Sequence, residues 1–177
     1  MHDYWKLYEN FFAPSQDGVG TILEIGLGTN NPSIPSNMGG HFTPGGSLRA
    51  WQAYFANFEI LGADIDREIL FSDRRIKTFW LDQTKRKTFR ELHEYLKSKA
   101  LDFVIIDGLH QPYADLNTLV ELLPYLKKQG HIFVEDIESS RFITIHWRIV
   151  KRFLPKGYSG TLIRQKGGSV FDVQRLS

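Results

Sequence analysis

The stretch from Ile22 to Trp51, ILEIGLGTNNPSIPSNMGGHFTPGGSLRAW, decides the fold of this 177-residue chain. It begins as an apolar strand, turns at Gly26 and Gly28, and reaches a helix only near Ser47. Glycine has no Cβ, so the chain can turn sharply there and a ligand can approach the backbone. A dinucleotide site would need a third glycine three residues after Gly28, where this chain has Asn31. The turn therefore indicates either a ligand site of another kind or a plain connection from strand to loop.

Composition narrows the class of protein. Hydrophobic residues make up 42% of the chain and aromatic residues 14%, which is enough for one domain with its own core. No segment approaches the roughly 18 consecutive apolar residues of a membrane span, and the N-terminus lacks the residue order of a secretory signal. The chain contains no cysteine, which excludes disulfides, thiolate zinc sites and a cysteine nucleophile. We therefore expect a cytoplasmic protein without a membrane span.

Short apolar segments alternate with segments of helical period. The five strand candidates are TILEIG (21–26), EILGADI (59–65), IKTFWLD (76–82), LDFVIID (101–107) and HIFVEDI (131–137). Such alternation predicts a parallel sheet covered by helices. Two further strand-like segments, YSGTLIRQ and SVFDVQRL, are joined through Gly167 and Gly168, which predicts an antiparallel hairpin. We predict one α/β domain over residues 1–177, with an inserted loop at 29–46 and a closing hairpin at 157–177.

Two helices have clear boundary signals. Residues 114–130, ADLNTLVELLPYLKKQG, have apolar residues at helical spacing, basic residues from Lys127 suited to a last turn, and Gly130 as a C-cap. Residues 3–14, DYWKLYENFFAP, predict a helix that ends at Pro14. We expect the aromatic residues of this first helix to pack on the sheet or to close over a ligand.

Asp64 follows the second strand candidate, 36 residues after Gly28. Without the extra loop at 29–44, this interval shortens to about 20 residues, the spacing at which an acid meets a ribose hydroxyl in nucleotide-binding units. The loop is thus an insertion into a standard unit. PGGSL at its end predicts a helix start with Ser47 as the N-cap. We interpret Asp66, the competing acid, as solvated.

Asp82 ends the third strand candidate, with Gln83 beside it. This position places their hydrogen-bonding groups where the edge of an adenine would lie in a nucleoside site. Asp82 also suits the N-cap of the helix predicted over TKRKTFRELHEYL. The two roles are compatible with each other.

Acidic residues also end the fourth and fifth strand candidates. The carboxyl ends of neighbouring parallel strands lie about 5 Å apart, so Asp107 can meet Glu135 and Asp136. Carboxylates crowded in this way are structural caps, or one keeps its proton, or they bind a hard divalent cation such as magnesium. His110 lies on the same loop as Asp107. It is either a bystander or a base that accepts a proton from a substrate hydroxyl.

The segments ILEIGLG, GADID, FWLDQT, IIDGLH and FVEDI, in this order and with PGGSLRAW, resemble the class I S-adenosylmethionine-dependent methyltransferases. More narrowly, residues 4–140 are similar to the metal-dependent sugar O-methyltransferases of the mycinamicin type and their uncharacterised bacterial relatives. The resemblance implies a Rossmann-like, doubly wound, mostly parallel seven-stranded sheet with an antiparallel C-terminal strand. It also implies an enzyme that methylates a hydroxyl of a sugar or natural-product acceptor with the help of magnesium.

By motif position, the resemblance assigns roles to individual residues of this chain. The implied S-adenosylmethionine-binding residues are Glu24, Gly26, Gly28, Ser47, Asp64, Asp82 and Gln83. The implied magnesium ligands are Asp107, Glu135 and Asp136, and His110 would be the catalytic base beside Asp107.

Two positions depart from this family pattern. Ile106 stands where the mycinamicin-type enzymes carry a second acid, and Leu109 replaces a serine. This chain therefore offers fewer polar side chains around the expected metal site. The inserted loop is either a surface loop or a source of acceptor contacts. The candidate contacts in it are Asn30, Asn31, Asn37 and His41.

Residues 141–177 hold eight Lys/Arg against the single acid Asp172. This basic region is either a solvated surface or attracts an anionic substrate or nucleic acid. Two alternatives therefore stand beside the sugar O-methyltransferase, namely a nucleic-acid methyltransferase and a non-catalytic module that binds S-adenosylmethionine. The sequence leaves the acceptor and the oligomeric state open, a homo-oligomer included.

Overall fold

The computed structural model describes residues 4–40, 42–138, 140–165 and 168–176, with the backbone but not the side chain of Arg141. Its helices are α1 (Trp5–Phe12), α2 (Gly46–Tyr54), α3 (Arg90–Leu96), α4 (Pro112–Leu122) and α5 (Arg141–Phe153). Its strands are β1 (Val19–Ile25), β2 (Asn57–Asp64), β3 (Ser72–Asp73), β4 (Ile76–Trp80), β5 (Leu101–Ile106), β6 (Leu126–Ile137), β7 (Tyr158–Gln165) and β8 (Gly168–Arg175).

The strands form one sheet in the order β3-β4-β2-β1-β5-β6-β8-β7. The strands from β4 to β6 in this order are parallel, whereas β3, β8 and β7 are antiparallel to their neighbours. The predicted α/β fold with an antiparallel C-terminal hairpin is confirmed, although Lys166 and Gly167 in its connection lie outside the described residues. The described ranges contain eight strands rather than the predicted seven, because the short β3 adds an edge beside β4.

Alternate residues of the central strands supply two hydrophobic cores, one on each face of the sheet. In β1, Ile22 packs in the core that α1 and α2 cover, whereas Leu23 packs in the core that α3, α4 and α5 cover. The chain winds outward from β1 to β2 and β4, then crosses back to β5 and β6. Open α/β sheets bind ligands in the crevice at such a reversal, outside the carboxyl ends of the strands.

Helix α1 lies in the predicted segment but ends at Phe12, and a 3-10 turn over Ala13–Ser15 contains Pro14. Residue 3, where the predicted segment begins, lies outside the described residues. Its aromatic residues pack on the sheet, and the rings of Phe12 and Phe103 have centroids 4.5 Å apart. Among the residues with described positions, no helix combines the length and apolar character needed to cross a bilayer.

The prediction for the end of α4 was wrong. The helix exists but stops at Leu122, and the 3-10 turn Leu123–Tyr125 leads directly into β6. Pro124 lies inside the predicted helix, and proline has no N–H to continue the ladder of hydrogen bonds. The basic residues from Lys127 and the expected C-cap Gly130 therefore belong to β6.

Asp115 is a buried acid in α4. Burial raises the pKa of its carboxyl from 3.8 to about 7. Because the pKa is higher in the folded state, folding favours the protonated acid, and stability falls as the pH rises from the unfolded pKa towards the folded one. We expect Asp115→Asn to increase the free energy of unfolding at pH 8 by up to roughly 4 kcal/mol and to change it much less at pH 4.

Urea denaturation at the two pH values measures this difference. Asp17→Asn, at an exposed position, is the matched control and should leave stability unchanged at both. An equal effect of Asp115→Asn at both pH values would contradict the expected burial of a charged group.

Candidate active site

A cavity of about 950 Å³ opens at the carboxyl ends of the parallel strands. Every residue to which the family resemblance assigned a cofactor-binding, metal-binding or catalytic role lies in its wall. These residues are Glu24, Gly26, Gly28, Ser47, Asp64, Asp82, Gln83, Asp107, His110, Glu135 and Asp136. Segments far apart along the chain thus meet at one place, and the role of each side chain stays a prediction.

The turn after β1 requires glycine because another loop approaches it closely. Gly26 and Gly28 have φ angles of 98° and 76°, in the left-handed region that favours glycine. The N–H of Gly26 donates to the carbonyl of Ala63 at 2.8 Å. A Cβ on Gly26 would lie 2.0 Å from the carbonyl oxygen of Asp107. At Gly26 the close neighbour is therefore the protein's own backbone.

Asp64 holds this turn against the end of β2. Its Oδ2 accepts a hydrogen bond from the N–H of Leu27 at 2.6 Å, and its Oδ1 accepts one from the N–H of Asp66 at 2.8 Å. Burial raises the pKa of Asp64, although these backbone hydrogen bonds act in the opposite direction. Asp64, which was predicted to bind the ribose, thus lies in the cavity wall, and hydrogen bonds from backbone N–H groups set the orientation of its carboxylate.

The interpretation of Asp66 as solvated was wrong. Asp66 is buried, and it accepts hydrogen bonds from the hydroxyl of Thr29 and, at 3.0 Å, from the N–H of Glu68. It caps the 3-10 turn Arg67–Ile69 and ties that turn to the loop after β1. Thr29 lies 37 positions away along the chain, so local sequence gave no sign of this contact.

Glu24 is a buried acid near the end of β1. Its two carboxylate oxygens accept hydrogen bonds from the hydroxyl of Ser47 and, at 2.6 Å, from the indole N–H of Trp51. Burial raises the pKa of Glu24 to about 7, although both hydrogen bonds act to lower it. The prediction of Ser47 as N-cap was wrong, because Gly45 with a φ of 70° occupies that position. Ser47 lies in the first turn of α2, where its hydroxyl bridges to β1.

Asp82 organises the turn after β4. It accepts hydrogen bonds from the N–H of Thr84 at 3.0 Å and from the ammonium group of Lys85 at 2.6 Å. Burial alone would raise the pKa of Asp82, but the hydrogen bonds from Lys85 and Thr84 outweigh it and lower the pKa. The helical segment begins only at Arg86, with Lys85 at its N-cap position. Asp82 therefore caps the preceding turn and not the predicted helix.

Gln83 connects two parts of the site. Its amide oxygen accepts a hydrogen bond from the N–H of Leu109 at 2.9 Å, and its amide nitrogen donates to the hydroxyl of Thr118 at 3.0 Å. These contacts hold the loop that carries Asp107 and His110 against α4. The contact of Gln83 with adenine stays a prediction. The side chain would form that contact in addition to the two hydrogen bonds described.

Asp107, His110 and Asp136 form a cluster at this rim of the sheet. Each offers one ligand atom, and the three atoms lie within 4.8 Å of one another. His110 Nε2 lies 3.5 Å from Asp107 Oδ1. His110 and Asp136 have φ angles of 53° and 50°, and such strained backbone is concentrated at functional sites. The cluster differs from the predicted ligand set in one member, since it contains His110 where Glu135 was expected.

Two tyrosines of the first helical segment bind the acids at the end of β6. The hydroxyl of Tyr8 donates to Glu135 Oε1, and that of Tyr4 donates to Asp136 Oδ1 at 2.7 Å. Consecutive residues of a regular strand point to opposite faces. Here the pairing of β6 with β8 shifts register between Val134 and Ile137, and Glu135 and Asp136 both line the cavity. The irregular strand end thus brings two adjacent carboxylates to one place.

The carboxylates of this rim repel one another. Burial raises the pKa of Asp107 well above its usual range, and the charges of Glu135, Glu24 and Asp136 raise it further. Burial also raises the pKa of Glu135 to about 8, with the charges of Glu24 and Asp136 adding to the effect and the Tyr8 hydrogen bond opposing it. A proton or a divalent cation relieves such repulsion. The carboxylate groups present suit a hard cation such as magnesium or manganese.

The hydrogen bonds of the tyrosine hydroxyls were not predicted. The aromatic residues of the first helix were expected to pack on the sheet or to cover a ligand. The Tyr8 ring packs edge-on against Phe133, with centroids 5.3 Å apart, and Tyr4 lines the cavity. One feature of the sequence could have predicted these hydrogen bonds. Tyr4 and Tyr8 lie one helical turn apart, and a buried tyrosine hydroxyl, unlike a phenylalanine ring, needs a polar partner.

The inserted loop presents apolar residues to the cavity and not the expected asparagines. Asn31 accepts a hydrogen bond from the N–H of Ser33 at 3.0 Å, and Asn37 donates to the carbonyl of Ile34 at 2.9 Å. Asn30 likewise donates to a carbonyl within the loop. These short side chains fold the loop on itself, and His41 lies outside the described residues. The apolar residues that line this side of the cavity are Ile34, Pro35, Met38, Phe42, Leu109 and Tyr113.

Comparison with known proteins agrees with this geometry. A family model described as a methyltransferase domain matches residues 47–137, half of the chain. One relative is the 8-demethyl-8-alpha-L-rhamnosyl tetracenomycin-C 2'-O-methyltransferase of Streptomyces olivaceus, 32% identical over 140 residues, which are 79% of this chain and 34% of that protein. Another is the mycinamicin VI 2''-O-methyltransferase of Micromonospora griseorubida, 26% identical over 140 residues, 77% of this chain and 32% of that protein. The chain thus spans about a third of the length of these curated relatives.

A solved structure shares the fold. MycE methyltransferase from the mycinamycin biosynthetic pathway, in complex with Mg and SAH, superposes with a TM-score of 0.74 at 21% sequence identity. The match covers 99% of this chain and 50% of that one. At this identity the superposition establishes a common fold.

Proposed function

This chain belongs to the methyltransferase domain family, and we propose that it transfers the methyl group of S-adenosylmethionine to a hydroxyl of a sugar-containing acceptor. The observation that carries this proposal is the convergence of Asp64, Asp107 and Asp136 on one cavity. The curated relatives support the acceptor class, since both are named as O-methyltransferases of 2' or 2'' positions. We propose that magnesium assists the reaction.

The cavity supplies groups for each part of the cofactor. We expect Asp64 to accept hydrogen bonds from the ribose hydroxyls, and Asp82 with Gln83 to bind the edge of the adenine. The turn at Gly26 and Gly28 would approach the methionine part, with Glu24 and Ser47 beside it. These roles follow from the place of each residue in the cavity wall and from the family pattern.

The acceptor side of the cavity favours an apolar carrier of the sugar. Ile34, Met38 and Phe42 face the cavity from the inserted loop, and Tyr113 lines it from α4. Such a wall suits a sugar attached to an apolar natural product better than the phosphate backbone of a nucleic acid.

The chain's own residues can orient the reactants and move one proton. S-adenosylmethionine supplies an electrophilic methyl group on a positively charged sulfur. Magnesium held by Asp107, Glu135 and Asp136 would lower the pKa of the acceptor hydroxyl. His110 would take the hydroxyl proton while the acceptor oxygen bonds to the methyl carbon and the carbon–sulfur bond breaks. Most of the rate enhancement would come from positioning.

Asp64→Asn tests the cofactor site directly. We expect it to weaken S-adenosylhomocysteine binding about tenfold to a hundredfold, because hydrogen bonds to a charged carboxylate are worth roughly 1.5–3 kcal/mol. Titration calorimetry gives the affinity. Asp66→Asn is the matched control, since this neighbouring acid is also buried and also fixes a loop. Equal losses of affinity in both variants would show that Asp64 acts only by holding the loop.

An activity assay tests the function itself. The protein is incubated with S-adenosylmethionine and a rhamnosylated aromatic polyketide, a glycosylated macrolide or a structured RNA, each with magnesium or with EDTA. We expect S-adenosylhomocysteine and a methylated sugar product only with a glycosylated acceptor and magnesium. Methylation of the RNA would support the nucleic-acid alternative. Cofactor binding without product from any acceptor would support the non-catalytic module.

A further inference from the structure

Helix α5 (Arg141–Phe153) has two apolar faces, and the described part of the chain covers one of them. Trp147 is 1% exposed and packs on Phe171 of β8, with ring centroids 4.8 Å apart. Val150 is buried beside it in the same core. This face anchors the helix on the sheet and keeps its orientation fixed.

The second apolar face points away from the core. Its four side chains follow helical spacing and keep large exposed fractions, with 85% for Phe142, 43% for Ile145, 49% for Ile149 and 81% for Phe153. Single exposed apolar residues are common on protein surfaces, but a continuous row of large ones marks an interaction site. The row runs the length of a 13-residue helix, about 20 Å.

The charged Lys and Arg side chains that the structure describes on α5 are all exposed cations. Arg148, Lys151 and Arg152 are exposed on α5, and the sequence has no Asp or Glu from residue 139 to residue 171. A complementary partner is therefore negatively charged and offers an apolar layer. The interface of a bilayer that contains anionic lipids provides both, with headgroup phosphates above the acyl chains.

A second copy of the chain fits the row less well. Two α5 helices packed through it would bring two cationic helices together, with no Asp or Glu from residue 139 to residue 171 of either copy to neutralise them. The contact of one helix face, about 20 Å by 10 Å, is also far smaller than the roughly 800 Å² per partner of a standard interface.

We propose that α5 is a peripheral membrane anchor, in which Phe142, Ile145, Ile149 and Phe153 enter the interface of an anionic bilayer while Arg148, Lys151 and Arg152 bind the headgroups. The helix would lie along the membrane surface and the sheet would stay outside the bilayer.

Vesicle co-sedimentation of the full chain tests this anchor with phosphatidylcholine vesicles that do or do not contain phosphatidylglycerol. We expect binding to the anionic vesicles that weakens as salt is added. Phe142→Ser with Phe153→Ser should weaken it at least about tenfold, since each large apolar group adds to the insertion free energy. Arg148→Gln with Lys151→Gln and Arg152→Gln should also weaken it, by about fivefold per cation near the surface.

Matched controls change equal numbers of exposed groups elsewhere. Trp5→Ser with Val19→Ser removes two exposed apolar side chains, and Lys87→Gln with Arg90→Gln and Lys97→Gln removes three exposed cations. Both controls should keep vesicle binding, and circular dichroism verifies that every variant is folded. Absence of binding to anionic vesicles, or equal loss in the controls, overturns the proposal. A concentration-dependent dimer that the Phe142→Ser and Phe153→Ser changes abolish, without vesicle binding, assigns the face to a second copy instead.

Discussion

His110→Asn is expected to lower the turnover of methyl transfer by about 10²-fold to 10⁴-fold, the usual contribution of a positioned general base. The affinity for S-adenosylhomocysteine should stay nearly unchanged, because the variant alters proton transfer and not the cofactor end of the cavity. Asparagine is the appropriate replacement, since His110 has a φ of 53° and asparagine tolerates left-handed backbone better than alanine. Steady-state rates with a glycosylated acceptor, together with calorimetry, separate the two effects.

Rescue by imidazole distinguishes a missing base from a damaged site. Free imidazole in the assay should restore part of the activity of His110→Asn, and the gain should increase with pH as more imidazole becomes neutral. A variant damaged in its fold would not respond. An unchanged rate in His110→Asn would remove the assignment of His110 as the base.

Asp107→Asn is expected to lower metal affinity by tenfold or more and turnover by about 10²-fold or more, since charge neutralisation by a bound cation stabilises the attacking oxygen. Asp107 belongs to the cluster in which one atom each of Asp107, His110 and Asp136 lies within 4.8 Å of the others. Titration with Mn²⁺ followed by electron paramagnetic resonance measures the affinity without any acceptor. In activity assays with increasing Mg²⁺, the variant should need a higher Mg²⁺ concentration than the wild type to reach half of its maximal rate, and that maximal rate should be lower.

Thermal unfolding in EDTA provides the control for Asp107→Asn. Burial and neighbouring carboxylates raise the pKa of Asp107, so the neutral amide relieves repulsion and the metal-free variant should melt no lower than the wild type. Asp73→Asn, at an exposed carboxylate on the sheet edge, should change neither metal affinity nor turnover. Unchanged Mn²⁺ affinity in Asp107→Asn would contradict the metal site.

The local sequence pattern was sufficient to predict the parallel strands and the C-terminal hairpin of the sheet. The five parallel strands lie where apolar runs were identified, four of which end in acids, and the C-terminal hairpin is antiparallel as its glycine link indicates. These features depend on residues near one another in sequence, so one chain is enough to identify them. The wrong predictions arose where two sequence features near each other favoured different structures. At Pro124, a broken helix and an early strand replaced an apparent C-terminal cap.

The details of the site were harder to predict because their partners are remote. The hydroxyl of Ser47 binds Glu24 and does not cap its own helix. The asparagines of the inserted loop close turns within it and leave the cavity wall to apolar residues. Each of these polar side chains could have formed hydrogen bonds with several partners, and the packing of the folded chain determined which partner it binds.

The sequence by itself determined that acids follow buried parallel strands, and therefore that Asp64, Asp107 and Asp136 share one rim, because parallel strands carry their carboxyl ends to the same edge. Only the tertiary structure decided which atoms meet there. The register shift in β6, the left-handed backbone of His110 and Asp136, and the hydroxyls of Tyr4 and Tyr8 set the directions of the side chains. The two tyrosine contacts join residues more than 100 positions apart, and the register shift depends on the pairing of β6 with β8, so no local pattern encodes these directions.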